Sequence, residues 1–177
     1  WTDPDEGFRH EGVWDTSKYH MLLDSFEGIE IRDIGSLGGV RIDGLQIKII
    51  NVNYYDESCV FIDPSGSGTV DVEVSNCVMV GDTSASSGYY HSGINIFGIL
   101  TGSIGIIKLY NNIIYDFGSS ASSQTNSGIV LNDNTDDELA VNTYIYNNTV
   151  YNCSLGFSFN YFINTPDVVL KNNIADS

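Results

Sequence analysis

Short apolar runs, spaced by polar and small residues, recur along the chain in two forms. The first form is a small residue, an apolar one, any residue and another apolar one. It reads GIEI from Gly28, SCVF from Ser58, GINI from Gly93, GIVL from Gly128 and GFSF from Gly156. The second form centres on Gly or Asn between apolar positions. It reads IDGLQI from Ile42, VSNCVM from Val74, LYNNII from Leu109, IYNNTV from Ile145 and LKNNIA from Leu170. Alternation within each run argues for strands: Ile107, Leu109 and Asn111 share one face, and Lys108, Tyr110 and Asn112 the other. Ile, Val, Tyr and Phe dominate the runs, while Gly, Ser, Asn and Asp fill the gaps as turns require. Only residues 16–26 offer a weak amphipathic helix.

The two forms alternate five times. Successive first forms lie 30, 35, 35 and 28 residues apart. A period in this range predicts a solenoid, propeller or array. Parallel strands normally need crossover helices, and the sequence has no room for them. A chain that winds once per repeat removes the need, because each strand then stacks on its counterpart in the next repeat. Asn76, Asn111, Asn147 and Asn172 become neighbours about 4.8 Å apart in such a winding. Their amides are expected to form a ladder, and Asn tolerates the left-handed backbone of a tight corner. The asparagine motif is therefore read as a signature of fold rather than of a ligand. The sequons at Asn147 and Asn152 fall in this ladder and its turn and are read as structural too.

This pattern resembles the right-handed parallel β-helix repeat proteins, the broad pectate-lyase-like superfamily, over roughly residues 27–177. The resemblance implies an all-β, single-stranded right-handed parallel β-helix of about five coils. Residues 1–26 are expected to form an N-terminal cap, with Phe8, Val13, Trp14 and Tyr19 covering the open end. Residues 27–177 are expected to be a solenoid that continues in a longer native chain. The family holds lyases, hydrolases, tailspikes, adhesins and structural surface proteins, so the likeness speaks for fold more than for function.

Charge narrows the partners. The 177 residues carry a formal net charge of −16 with only seven Lys and Arg. Such a surface repels nucleic acid and anionic membranes. No apolar run approaches the roughly 20 residues of a membrane-spanning helix. The composition suits an extracellular or cell-surface setting. Cys59, Cys77 and Cys153 are too few and too widely spaced for a zinc site or a disulfide framework, and are expected as buried free thiols.

Candidate chemistry is sparse. Tyr54-Tyr55 and Tyr89-Tyr90 precede Ser58 and Gly93 by the same four and three residues. Both pairs thus fall at one place on consecutive coils, where they would present an aromatic platform to the apolar faces of sugars. Asp133, Asp136, Asp137 and Glu138 gather in one loop and are candidate calcium ligands, although not at EF-hand spacing. No cofactor other than calcium is suggested. Arg9, His10, Lys18 and His20 collect near the start and are read as pairing with nearby acids. Asp43, Asp71 and Glu73 read as isolated acids, and His91 as a loop histidine. The superfamily's enzymes carry acids and bases on adjacent rungs of one wall, and no such constellation is visible. The leading expectation is a structural or adhesive module that joins itself end to end or joins other surface proteins. The alternative is a carbohydrate-binding module or a polysaccharide lyase or hydrolase.

Overall fold

The computed structural model describes residues 10–24, 27–32, 39–50, 57–63, 69–83, 91–97, 104–118, 126–132, 141–160 and 168–176. These residues form sixteen strands and no helix. In chain order they are β1 (Met21–Leu23), β2 (Ile29–Arg32), β3 (Val40–Asp43), β4 (Gln46–Ile49), β5 (Glu57–Asp63), β6 (Thr69–Ser75), β7 (Val78–Val80) and β8 (His91–Phe97). They continue as β9 (Ile104–Tyr110), β10 (Ile113–Tyr115), β11 (Ser127–Asn132), β12 (Val141–Tyr146), β13 (Thr149–Tyr151), β14 (Leu155–Asn160), β15 (Val168–Lys171) and β16 (Ile174–Asp176).

The chain visits three sheets in strict rotation. The first sheet runs β1-β4-β7-β10-β13-β16, the second β2-β5-β8-β11-β14 and the third β3-β6-β9-β12-β15. Every pairing is parallel. This path is compatible with a β-helical solenoid. The first sequence form marks the second sheet. The second form is split by its corner into a strand of the third sheet and a short strand of the first.

Register stacks like on like. Ile47, Met79, Ile114 and Val150 make one inward column of the first sheet. Val60, Ile94 and Ile129 make a column of the second, and Val74, Leu109 and Ile145 one of the third. Each buried branched side chain contributes about 1.5–3 kcal/mol relative to exposure, so these columns are the main source of cohesion.

The corner between third and first sheets is left-handed in every turn. Its φ is 74° at Gly44, 53° at Asn76, 56° at Asn111, 56° at Asn147 and 55° at Asn172. The corner N–H of Asn76 donates to the Tyr110 carbonyl of the next rung at 3.2 Å, and Asn147 repeats this with Lys171 at 3.0 Å. The ladder splits over two positions. At the corner itself, among the described residues, one amide pair forms: Asn111 Nδ2 donates to Asn76 Oδ1 (3.2 Å) on an exposed surface. The buried ladder lies one residue later, in Asn112, Asn148 and Asn173. Asn112 Nδ2 donates to Asn148 Oδ1 at 3.0 Å and Asn148 Nδ2 to Asn173 Oδ1 at 3.1 Å. Each amide also donates to a carbonyl, of Val74, Leu109 and Ile145 respectively. Cys77 occupies the equivalent place one rung earlier, and its N–H closes the ladder on Asn112 Oδ1 at 3.0 Å. Alternation alone had put Asn112 on the outer face; the left-handed corner reverses that parity.

The weak helix over 16–26 is absent from its described part, where a turn leads into β1. Residues 10–20 instead lie across the outer face of the first sheet. Gln46, fully buried, accepts from the Asp15 N–H (2.7 Å) and donates to the Asp15 and Tyr19 carbonyls (3.0 and 3.2 Å). His10 Nε2 lies 2.8 Å from the Asn76 carbonyl. This strap explains why the outward-facing Val78 and Val80 are buried. Phe8 lies outside the described residues. Cys59, Cys77 and Cys153 are buried and free, and burial pushes the Cys59 thiol up and the Cys153 thiol up to about 11.

Candidate functional site on the third sheet

Inward positions of the third sheet are apolar apart from Thr143, so the intervening residues face outward. Aligning the rungs on their corners places Arg41, Glu73, Lys108 and Tyr144 in one column, three residues before each corner. Asp43, Ser75, Tyr110, Tyr146 and Lys171 form a second column, one residue before. Arg41, Lys108 and Lys171 are thus three of the seven cationic side chains of a strongly acidic chain, gathered on one face.

A groove of about 330 Å³ runs over this face, lined by Arg41, Asp71, Glu73, Ile106 and Lys108 together with Gly39 and Val40. Its floor is tied down by mutual bonds. Arg41 Nε lies 3.2 Å from Glu73 Oε1, and Arg41 Nη2 lies 3.8 Å from Asp43 Oδ2. The Tyr110 hydroxyl donates to Glu73 Oε1. Asp43 Oδ1 accepts from Ser75 Oγ and from Asn76 Nδ2, each at 2.7 Å. Asp71 Oδ1 accepts the Ile106 N–H at 3.2 Å. Partial burial raises the Tyr110 hydroxyl above its ordinary pKa, and the bond to Glu73 adds to the rise. The phenol therefore stays a protonated donor at neutral pH. Among the described residues Lys108 makes no ion pair, whereas Arg32 on the second sheet is engaged by Glu30 at 2.8 Å and Asp63 at 3.6 Å. Lys108 is a cation left available at the groove.

Beside the groove the Tyr110 and Tyr146 rings stack with centroids 5.0 Å apart and planes 1° from parallel. Tyr115 and Tyr151 repeat the stack on the first sheet, at 4.8 Å and 6°. Parallel in-register strands impose this spacing, close to the separation of neighbouring strands. The face thus offers cations, acceptors and an aromatic ledge, a set suited to gripping a polar molecule with flat apolar faces. Among the described residues no three His, Cys, Asp or Glu side chains converge as a metal site would need.

The sequence-predicted aromatic residues Tyr54, Tyr55, Tyr89 and Tyr90 lie outside the described residues, as do Asp133, Asp136, Asp137 and Glu138. Two expectations are corrected. His91 is no loop residue: it opens β8 and is 1% exposed. Burial, with the Phe117 ring at 5.9 Å on one side, pushes its pKa down to about 4. Asp43, Asp71 and Glu73 are not isolated either, since Glu73 stands in register between Arg41 and Lys108. The signal was present in the shared offset from Gly44, Asn76, Asn111 and Asn147, but it emerges only when the outward residues of different repeats are aligned. No family model matches the chain, and neither a curated protein nor a solved structure matches it.

Proposed function

We propose that the chain is a right-handed, five-coil parallel β-helix of the pectate-lyase-like superfamily, a module of a secreted or cell-surface protein that adheres by holding polysaccharide along its third sheet. The observation that carries this reading is the Arg41–Glu73–Lys108 column beside the stacked Tyr110 and Tyr146. In this reading the tyrosine ledge takes the CH face of a sugar ring. Lys108 donates to ring or hydroxyl oxygens, and Asp71 and Glu73 accept from hydroxyls. Repetition along the stack suits a polymer over a single small ligand. Binding is favoured over bond cleavage because Glu73, Tyr110 and Arg41 already satisfy one another, which leaves no acid and base aimed at a common point.

The test is a titration of neutral and acidic polysaccharides against the native chain, Lys108→Ala and Tyr146→Ala. Loss of one stacking ring is worth about 0.5–1.5 kcal/mol beyond area, so Tyr146→Ala is expected to weaken binding up to about tenfold. Unchanged affinity in both variants would sink the proposal for this face. Release of shortened products by the native chain would sink the claim that it only binds.

End-to-end association is the second reading, because a parallel rung of one copy is a template for a rung of another. Negative-stain microscopy separates the readings: fibres from the native chain support stacking, and dispersed particles leave adhesion through the third sheet.

A further inference from the structure

Far from the third-sheet face, the strands of the second sheet begin with a buried polar column. Glu57, His91 and Asn126 occupy one lateral position on three successive rungs. Glu57 pairs with His91 in register, and the His91 N–H donates to Asn126 Oδ1 at 3.3 Å. The three residues are at most 1% exposed. Ser127, fully buried, follows in the next column after Ser58 and Ser92, whose hydroxyls meet at 3.3 Å. His91 Nδ1 and Nε2, Asn126 Nδ2 and Ser127 Oγ lack hydrogen-bond partners among the described residues. A neutral imidazole carries one N–H and one lone pair, so His91 asks for both an acceptor and a donor.

Leaving such groups dry is expensive, and native interiors seldom tolerate it without a bound group. The chemistry here selects that group. An anion is opposed by the Glu57 carboxylate. A metal cation finds one carboxylate and one imidazole, and then meets the N–H hydrogens of Asn126 Nδ2. A neutral molecule that both donates and accepts satisfies all of them, and water is the smallest that does so. We propose that the entry corner of the second sheet is a built hydration site, in which ordered water molecules bridge Glu57, His91, Asn126 and Ser127 from rung to rung. Each water makes two to four hydrogen bonds to these groups, as buried waters do.

The experiment is NMR on the intact chain. Water-to-amide Overhauser effects at the His91 and Ser127 amides are expected to carry the sign of long-lived water. Long-range ¹⁵N correlation is expected to show a neutral His91 ring with both nitrogens hydrogen-bonded. Magnetic relaxation dispersion should then count at least one fewer long-lived water in Asn126→Leu. Absence of water contacts at both amides would overturn the proposal, and so would ring nitrogens with shifts typical of unbonded imidazole. An unchanged water count in a folded Asn126→Leu would do the same. The measurements on the native chain decide the matter if that variant does not fold.

Discussion

At the scale of the residue, two buried polar side chains do opposite things. Asn148 is 1% exposed and meets every demand placed on it. Its Oδ1 accepts from Asn112 N and Nδ2, and its Nδ2 donates to the Leu109 carbonyl at 2.9 Å and to Asn173 Oδ1. Asn148→Ala strands several of these partners in the core, each at a cost of about 1–3 kcal/mol. A loss of roughly 3 kcal/mol is expected in urea denaturation, with an unchanged slope. Asn148→Asp is expected to lose at least as much at neutral pH, because a carboxylate oxygen then faces the Leu109 carbonyl. His91 is instead a charge switch. Its ring has an unfolded pKa of 6.5 and a folded value of about 4, lowered by burial. Between these values the unfolded chain binds the extra proton, so stability rises with pH there. The contribution is fully present above pH 6.5 and is lost as pH falls towards 4, on the order of 3 kcal/mol in all. Stability curves of the native chain and His91→Gln, measured from pH 7.5 to 4, check this: the native curve should be the steeper one through that window. Parallel curves would mean that His91 is not buried in neutral form.

At the scale of the element, the fold depends on close approach between sheets. A Cβ on Gly128 would sit 2.2 Å from Val150 Cγ1 on the first sheet and 2.9 Å from the Gly156 carbonyl. Gly93 repeats this against Ile114 Cγ2 at 2.4 Å. The glycine that opens four of the five first-form repeats is thus what lets the second sheet pack against the first. Gly128→Ala is expected to cost about 1–3 kcal/mol as overpacking. Adding Val150→Ala should recover only part of that loss, because the contact with the Gly156 carbonyl persists; a double-mutant cycle on thermal unfolding measures the recovery. These elements also show what could be read from the chain. Apolar alternation and the Gly/Asn period exposed the strands and the left-handed corner, because both are local consequences of backbone sterics. The first sheet was missed as a wall of its own, since three-residue strands such as β7 and β10 show no alternation. The outward columns were missed for another reason. Arg41, Glu73 and Lys108 are more than thirty residues apart in sequence, and only register makes them neighbours.

At the scale of the molecule, winding a chain with 23 acidic and seven basic residues concentrates like charge. Strands of one sheet lie about 4.8 Å apart, so acids on successive repeats approach more closely than in the unfolded coil. Long-range repulsion of this kind acts against the compact state and is screened by salt. The Debye length shortens from about 30 Å at 0.01 M to about 8 Å at 0.15 M, which still spans neighbouring rungs but screens charges several rungs apart. The thermal midpoint is therefore expected to rise between those NaCl concentrations. Polysaccharide held through Lys108 should bind more weakly over the same range if its groups are anionic, so the two responses have opposite signs and separate fold from site. Divalent ions sharpen the argument. If screening is the whole effect, calcium and sodium chlorides at matched ionic strength should give nearly the same midpoint, and this is the expected result. A further rise with calcium alone, removed by Asp136→Asn with Asp137→Asn, would instead assign a metal site to the acidic loop. The midpoint thus distinguishes charge that merely surrounds the three sheets from charge that binds.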